Sequence, residues 1–211
     1  MRHFKNFFRK LISVAAMLAL WIPVMAQTYI ITESSGTFTA TGGTLTSSSG
    51  AIQTVIDDIR ADAAGANCTI QFGSGGADVL DIGTASVTFE NIVGESWGTI
   101  TLTGKITSSV SVFIRDGVSA NSQADITNTA ATNGAAIYKY GAGTLTITAG
   151  TMSVLNGGTA SNVILNFNSG SNAGTINIDG GTVVAAGTSG RAVYNDGTGT
   201  VNIISGTVSA T

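Results

Sequence analysis

The chain has 211 residues, 43% of them hydrophobic, only a tenth charged, with a formal net charge of −3, which is enough for one domain with a sizeable core. Gly, Thr, Ser, Asn and Ala dominate, which excludes a helical bundle rich in Glu, Lys and Leu and a disordered chain of high net charge with few β-branched residues. Val, Ile and Thr set between glycines predict many short strands.

Residues 1–26 read as a secretory signal peptide. The first ten residues are basic without an acid, residues 11–22 form an apolar run of twelve, and Val24 and Ala26 hold the small-residue positions of a cleavage site. A bilayer span needs about 18 apolar residues, so no stable span is expected in the mature chain, which would begin at Gln27. Cleavage removes Arg2, Lys5, Arg9 and Lys10 together with His3 and Pro23, the only His and Pro. Five basic residues then face twelve acidic ones, a net charge of −7. Such a chain is a poor match for the phosphate backbone, so no nucleic-acid partner is expected. Without histidine it has no Ser-His-Asp or Cys-His machinery and no imidazole zinc site. Cys68 is the single cysteine, so there is no internal disulfide.

Residues 27–50 form an N-terminal strand or linker segment. Residues 51–64 form a helix, because Ile52, Val55, Ile56 and Ile59 follow the i, i+3, i+4, i+7 spacing of an amphipathic face. Ser and Gly just before it suit an N-cap, and Gly65 lies just past its end. "CTIQFG", residues 68–73, reads as the first strand of a stack, whose open apolar end the helix would cover. "GTASVTFENI" from Gly83 and "GTITLTGKIT" from Gly98 continue the strand chemistry with a Gly-Thr start. "VSVFIRDG" from Val110 reads as a strand ending in a turn.

From residue 136 the chain repeats itself with a mean period of about 28. "GTLTITAGTMSV" begins at Gly143, "GTINIDGGTVVA" 31 residues later and "GTVNIISGTVSA" 25 after that, the last two sharing eight of twelve residues. Leu145, Ile176 and Val201 share one slot, and Ile147, Ile178 and Ile203 the slot two residues on. Gly150, Gly181 and Gly206 then intervene before Met152, Val183 and Val208. A fixed period with alternating aliphatics predicts a β-solenoid of five or six coils over residues 65–211, like residues stacked from coil to coil.

The helix "AIQ--ID", a Gly-containing turn and the apolar strand after it resemble the N-terminal cap of the pectin-lyase-like right-handed parallel β-helix superfamily. "AIYKYG-GTLTITAGT" and "AVYNDGTGTVNIISGT" resemble repeats of large bacterial surface proteins and adhesins of that architecture. The resemblance implies an all-β right-handed parallel β-helix with an N-terminal capping helix. It also implies export to the extracellular space or outer surface of a Gram-negative bacterium. The last repeat ends without a divergent coil, so the chain is expected to be the N-terminal fragment of a longer protein. The open last coil offers end-to-end self-association.

No catalytic, cofactor-binding or metal-ligating residues are assigned. Asp57 and Asp58 are adjacent on the polar side of the helix, a solvated face. Asp78 and Asp81 fall in a Gly-rich turn, and a calcium ion there would need further oxygen ligands. Arg115 and Asp116 fit a surface turn. Lys139, Asp179, Arg191 and Asp196 decorate single coils. Thr146, Asn177 and Asn202 form an outward column that stabilises the stack, or a flat array matching ice or a crystalline polymer. Tyr138 and Tyr194 share a slot and either pack over neighbouring coils or stack on sugar rings. The expected function is a non-catalytic structural or adhesive stalk that binds extracellular polysaccharide or a host or cell surface through its long face. The alternative is the start of a polysaccharide lyase-like enzyme whose site lies on downstream coils.

Overall fold

The computed structural model describes residues 26–130, 134–155, 161–167, 174–186 and 189–211; the expected signal peptide, apart from Ala26, lies outside them. Among the described residues the fold is all-β with one helix. Strands β1 (Gln27–Ser34), β2 (Thr37–Gly42) and β3 (Leu45–Ser49) form an antiparallel meander, and helix α1 spans Ile52–Ala63. The remaining strands are β4 (Cys68–Phe72), β5 (Leu80–Asp81), β6 (Val87–Phe89), β7 (Ile100–Ser108), β8 (Val112–Ile114), β9 (Ala120–Ser122) and β10 (Asp125–Asn128). They continue as β11 (Ala135–Tyr140), β12 (Thr144–Ile147), β13 (Thr151–Val154), β14 (Asn162–Phe167), β15 (Thr175–Ala185), β16 (Arg191–Asp196) and β17 (Thr200–Ala210).

From β4 onward every pairing between these strands is parallel, and the pairs fall into three ladders. The first joins β4, the front of β7, β9, β12, the front of β15 and the front of β17. The second joins β5, the back of β7, β10, β13 and the backs of β15 and β17. The third joins β6, β8, β11, β14 and β16. The chain visits first, second and third ladder in that order on each circuit, and β1 extends the first ladder on the N-terminal side. "GTASVTFENI" departs from the expected register. Its Gly-Thr lies between β5 and β6, ahead of the third ladder, whereas the later Gly-Thr steps precede strands of the first and second.

Alternation sends one side of each strand inward. On the first ladder Ile100, Ala120, Leu145 and Ile176 form one buried column, and Ile70, Leu102, Ser122, Ile147 and Ile178 the next. On the second, Leu80, Ile106, Ile126, Met152 and Val183 are all buried. Tight corners between ladders depend on glycine. Gly150 has φ +77, and a methyl on it would overlap the carbonyl of Ala124 on the preceding circuit, so only glycine meets both conditions.

Helix α1 buries Ile52, Val55, Ile56, Ile59, Arg60 and Ala63 and packs against β2, β3 and β6. Its N-cap is Ala51, which makes no side-chain cap bond; Ser49 Oγ instead accepts from Ala51 N–H at 3.1 Å. The left-handed C-terminal turn begins one residue before Gly65, at Ala64 (φ 48). Gln53 reaches across to the edge of β6. Its Nε2 donates to Thr88 O (3.1 Å) and its Oε1 accepts from Thr88 N–H (2.8 Å). A side-chain amide thus satisfies both backbone groups that a further parallel strand would otherwise pair. Arg60 is buried beside it and bonds Asp57 (3.0 Å) and Glu95 (3.2 Å). Asp58 accepts from Ser47 Oγ at 2.5 Å and ties the helix to β3, whereas Asp57 bonds Gln53 and Arg60 of the helix itself.

Lys139 differs most from the sequence reading. It points inward on β11 and is fully buried, in the column Phe89, Ile114, Lys139, Asn166, Asn195. Its Nζ donates to Gly141 O (2.9 Å) and Ala142 O (2.5 Å). One circuit on, Asn166 Nδ2 donates to Gly174 O (3.4 Å) and Asn195 Oδ1 (2.7 Å), and Asn195 Nδ2 donates to Gly199 O (2.7 Å). At Lys139 and Asn166 the column therefore does one job with two residue types, bonding turn carbonyls from inside, where water cannot, and exposed Asn195 repeats the bond on the last circuit.

Two outcomes follow from these contacts. Gln53→Ala removes both bonds to Thr88 and should cost about 1–3 kcal/mol, seen as a lower urea midpoint; an unchanged midpoint would show the amide to be idle. Burial lowers the Lys139 pKa from 10.5 to about 8, with Asp116 opposing. Above pH 8 the unfolded chain keeps a proton that the folded chain has lost, so stability rises with pH. Burial also raises the Cys68 thiol from 9.0 to about 11, which lowers stability above pH 9. The Lys139 contribution should therefore appear as a midpoint that rises between pH 8 and 9 and is flat in Lys139→Asn. An equal rise in that variant would refute the assignment.

Candidate binding face

The outward residues of the third ladder include five aromatic side chains. Alternation on β8, β11, β14 and β16 puts Phe113, Tyr138, Leu165 and Tyr194 in one column. A second runs Tyr140, Phe167, Asp196, with Arg115 beside Tyr140 because the preceding Ile114 pairs with Lys139. The rings interlock: Phe113 and Tyr138 centroids are 5.5 Å apart, Tyr138 and Phe167 6.0 Å, and Tyr140 lies within 16° of parallel to Phe167 at 5.8 Å. Arg115 lies over the Phe113 ring at 4.4 Å and Arg191 over Tyr194 at 4.5 Å, contacts that favour a guanidinium on a π face.

Charge is distributed unevenly around the molecule. Arg60 pairs with Asp57 and Glu95, Lys105 pairs with Asp125 at 3.9 Å, and Lys139 is buried. Among the described residues, Arg115 and Arg191 are the cations with neither burial nor a carboxylate within ion-pair distance. Both lie on the third ladder.

An open cleft of about 340 Å³ is lined by Arg115, Asp116, Tyr138 and Tyr140. It lies between the circuit of β8 and that of β11. Asp116 is exposed at φ 50, in the turn that Val118 N–H closes on Arg115 O at 3.0 Å. Asn91 Nδ2 supports the turn by donating to Asp116 O at 2.9 Å, while Asn91 Oδ1 accepts from Trp97 N–H at 2.8 Å. The loop between Asn91 and Trp97 therefore stands beside the cleft, with Val93 fully exposed. Partial burial raises the Tyr138 phenol pKa above its ordinary value, Asp196 and Tyr140 raise it further and Arg115 opposes them.

The other sequence candidates are placed as follows. Tyr138 and Tyr194 share a column but are separated by Leu165, and both pack against neighbouring side chains. Tyr140, Phe113 and Phe167 are additions; the alternation in "AIYKYG" already places Tyr138 and Tyr140 on one face. Asp78 Oδ2 accepts from Ser74 N–H (2.6 Å) and Ser74 Oγ (2.7 Å), which lower its pKa, and Asp81 Oδ1 accepts from Gly83 N–H (2.9 Å). Both carboxylates close turns. No group of three or more His, Cys, Asp or Glu able to hold a metal ion occurs among the described residues. The first-ladder column runs Thr28, Thr69, Thr101, Asn121, Thr146, Asn177, Asn202. Asn202 Nδ2 donates to Asn177 Oδ1 at 2.8 Å along it, a bond made within the stack. Asp179 likewise accepts from Ser205 Oγ at 3.4 Å. No helix among the described residues is long and apolar enough to cross a membrane.

No protein-family model matches the chain, and no curated protein or solved structure is significantly similar to it.

The backbone of Asp116 gives a test of its turn. Asparagine tolerates a positive φ and a β-branched residue does not. Asp116→Asn should leave the urea midpoint unchanged, and Asp116→Val should cost about 1–2 kcal/mol; equal stability of the two would contradict the turn geometry.

Proposed function

We propose that this is a non-catalytic, exported β-solenoid of the pectin-lyase-like, right-handed parallel β-helix type. It acts as a structural or adhesive stalk on a bacterial surface and binds glycan or another surface through its long face. The observation that carries the reading is the third-ladder face, where five aromatic side chains lie with half-buried Arg115 and exposed Arg191, neither paired with a carboxylate, in an acidic molecule. Aromatic rings bordered by a few polar groups suit amphipathic ligands, which have an apolar side and a hydrogen-bonding rim. The handedness is supported by the parallel pairing of successive circuits, since parallel strand crossovers are right-handed in about 98% of cases. Export is supported by the composition of residues 1–26.

The test combines location with adhesion. The producing cell should carry the chain on its surface or release it, with an N-terminus at Gln27. The purified chain should adhere to polysaccharide-coated surfaces or whole cells without releasing new chain ends from the polymer. Retention inside the cell with residues 1–26 intact would overturn export. Depolymerisation of an acidic polysaccharide would replace the stalk with the lyase-like alternative.

A further inference from the structure

Tyr140 gives the third-ladder cleft a direction. Phe167, on the following circuit, covers one face of its ring at 5.8 Å and 16°. The cleft lies against Tyr140 from the preceding circuit, the one that carries Arg115 and Asp116. Arg115 stands beside Tyr140 in the strand register but turns aside to lie over Phe113 at 4.4 Å. The slot is thus lined by Tyr138 and Tyr140 from one circuit and by Asp116 and Arg115 from the circuit before it. Its volume of about 340 Å³ lies at the small end of the roughly 300–1,000 Å³ typical of small-ligand sites.

The charges in and around the slot select among ligands. Arg115 contributes one positive charge and Asp116 one negative, and Asp196 acts electrostatically on the Tyr138 phenol that lines the slot. A ligand carboxylate or sulfate would gain Arg115 but meet two carboxylates, in a molecule that is itself acidic. A ligand with paired hydroxyls meets complementary partners: the Asp116 carboxylate accepts from them and the Arg115 N–H groups donate to them. A ring with an apolar C–H face also matches the face of Tyr140. We infer that the slot between the β8 and β11 circuits binds one neutral pyranose unit of a polysaccharide, stacked on Tyr140 and held through adjacent hydroxyls by Asp116 and Arg115. This rests on the glycan-binding reading above and names its site and sugar class.

The test is affinity electrophoresis of the purified full chain through gels containing a β-glucan, a xylan or a mannan, against gels containing polygalacturonate or a sulfated glycan, with whole-cell adhesion in parallel. At least one neutral polymer should retard the chain. Tyr140→Ala and Asp116→Asn should each weaken that retardation at least tenfold, while Lys105→Gln, on the second ladder away from the slot, keeps it and all variants retain the parent circular-dichroism spectrum. Retardation that survives Tyr140→Ala and Asp116→Asn, or by acidic polymers alone, would overturn this site and sugar class and leave the glycan reading standing. Adhesion to cells without retardation by any polymer would overturn it and leave a non-glycan surface as the target. Neither retardation nor adhesion would remove both.

Discussion

In-register parallel pairing is the constraint on which the rest of this molecule depends. Strands from β4 onward take their backbone partners from neighbouring circuits, so a side chain is judged against its equivalents one circuit away rather than against its neighbours in sequence. Columns follow: aliphatic ones inside, Thr and Asn on one outer face, aromatics on another. The same pairing leaves unmet groups wherever a ladder ends. At β6 the structure meets them with the amide of a single helical glutamine, and β1 with its meander covers the first ladder on the same side.

The legible part of this fold is the part in which the chain resembles itself. The slots shared by Leu145, Ile176 and Val201 are the pairing register of the first ladder, because identical spacing from a common corner forces like residues together. Toward the N-terminus the circuits change length, from 32 residues between Cys68 and its partner Ile100 to 20 between Ile100 and Ala120, and self-comparison loses its footing. Gly83 shows the effect: the same dipeptide that precedes first- and second-ladder strands later serves a different corner here. The helical stripe was readable because its period is local. Its N-cap was not, because Ser49 turns the chain two residues ahead at Ala51 N–H and leaves the cap position to an alanine without a side-chain bond.

The candidate site was half legible for the same reason. Alternation places Tyr138 and Tyr140 on one face, but the cleft needs Arg115 and Asp116 from the circuit before, brought alongside only by the ladder. Lys139, between the two tyrosines, reads as a surface charge, since lysine is rarely buried without a partner. Its partners are backbone carbonyls, which every residue supplies and no sequence advertises.

That inner column affects how the molecule can change. Lys139 sets the course of the Gly141–Ala142 turn from within, and Asn166 does the same at Gly174. At these two corners bonds that hold the backbone come from the inner column. Outward substitutions there can alter what the surface recognises while the scaffold behind it stays in register. Variation is thereby confined to the rim, and a lineage built on these circuits could exchange one ligand for another without having to refold.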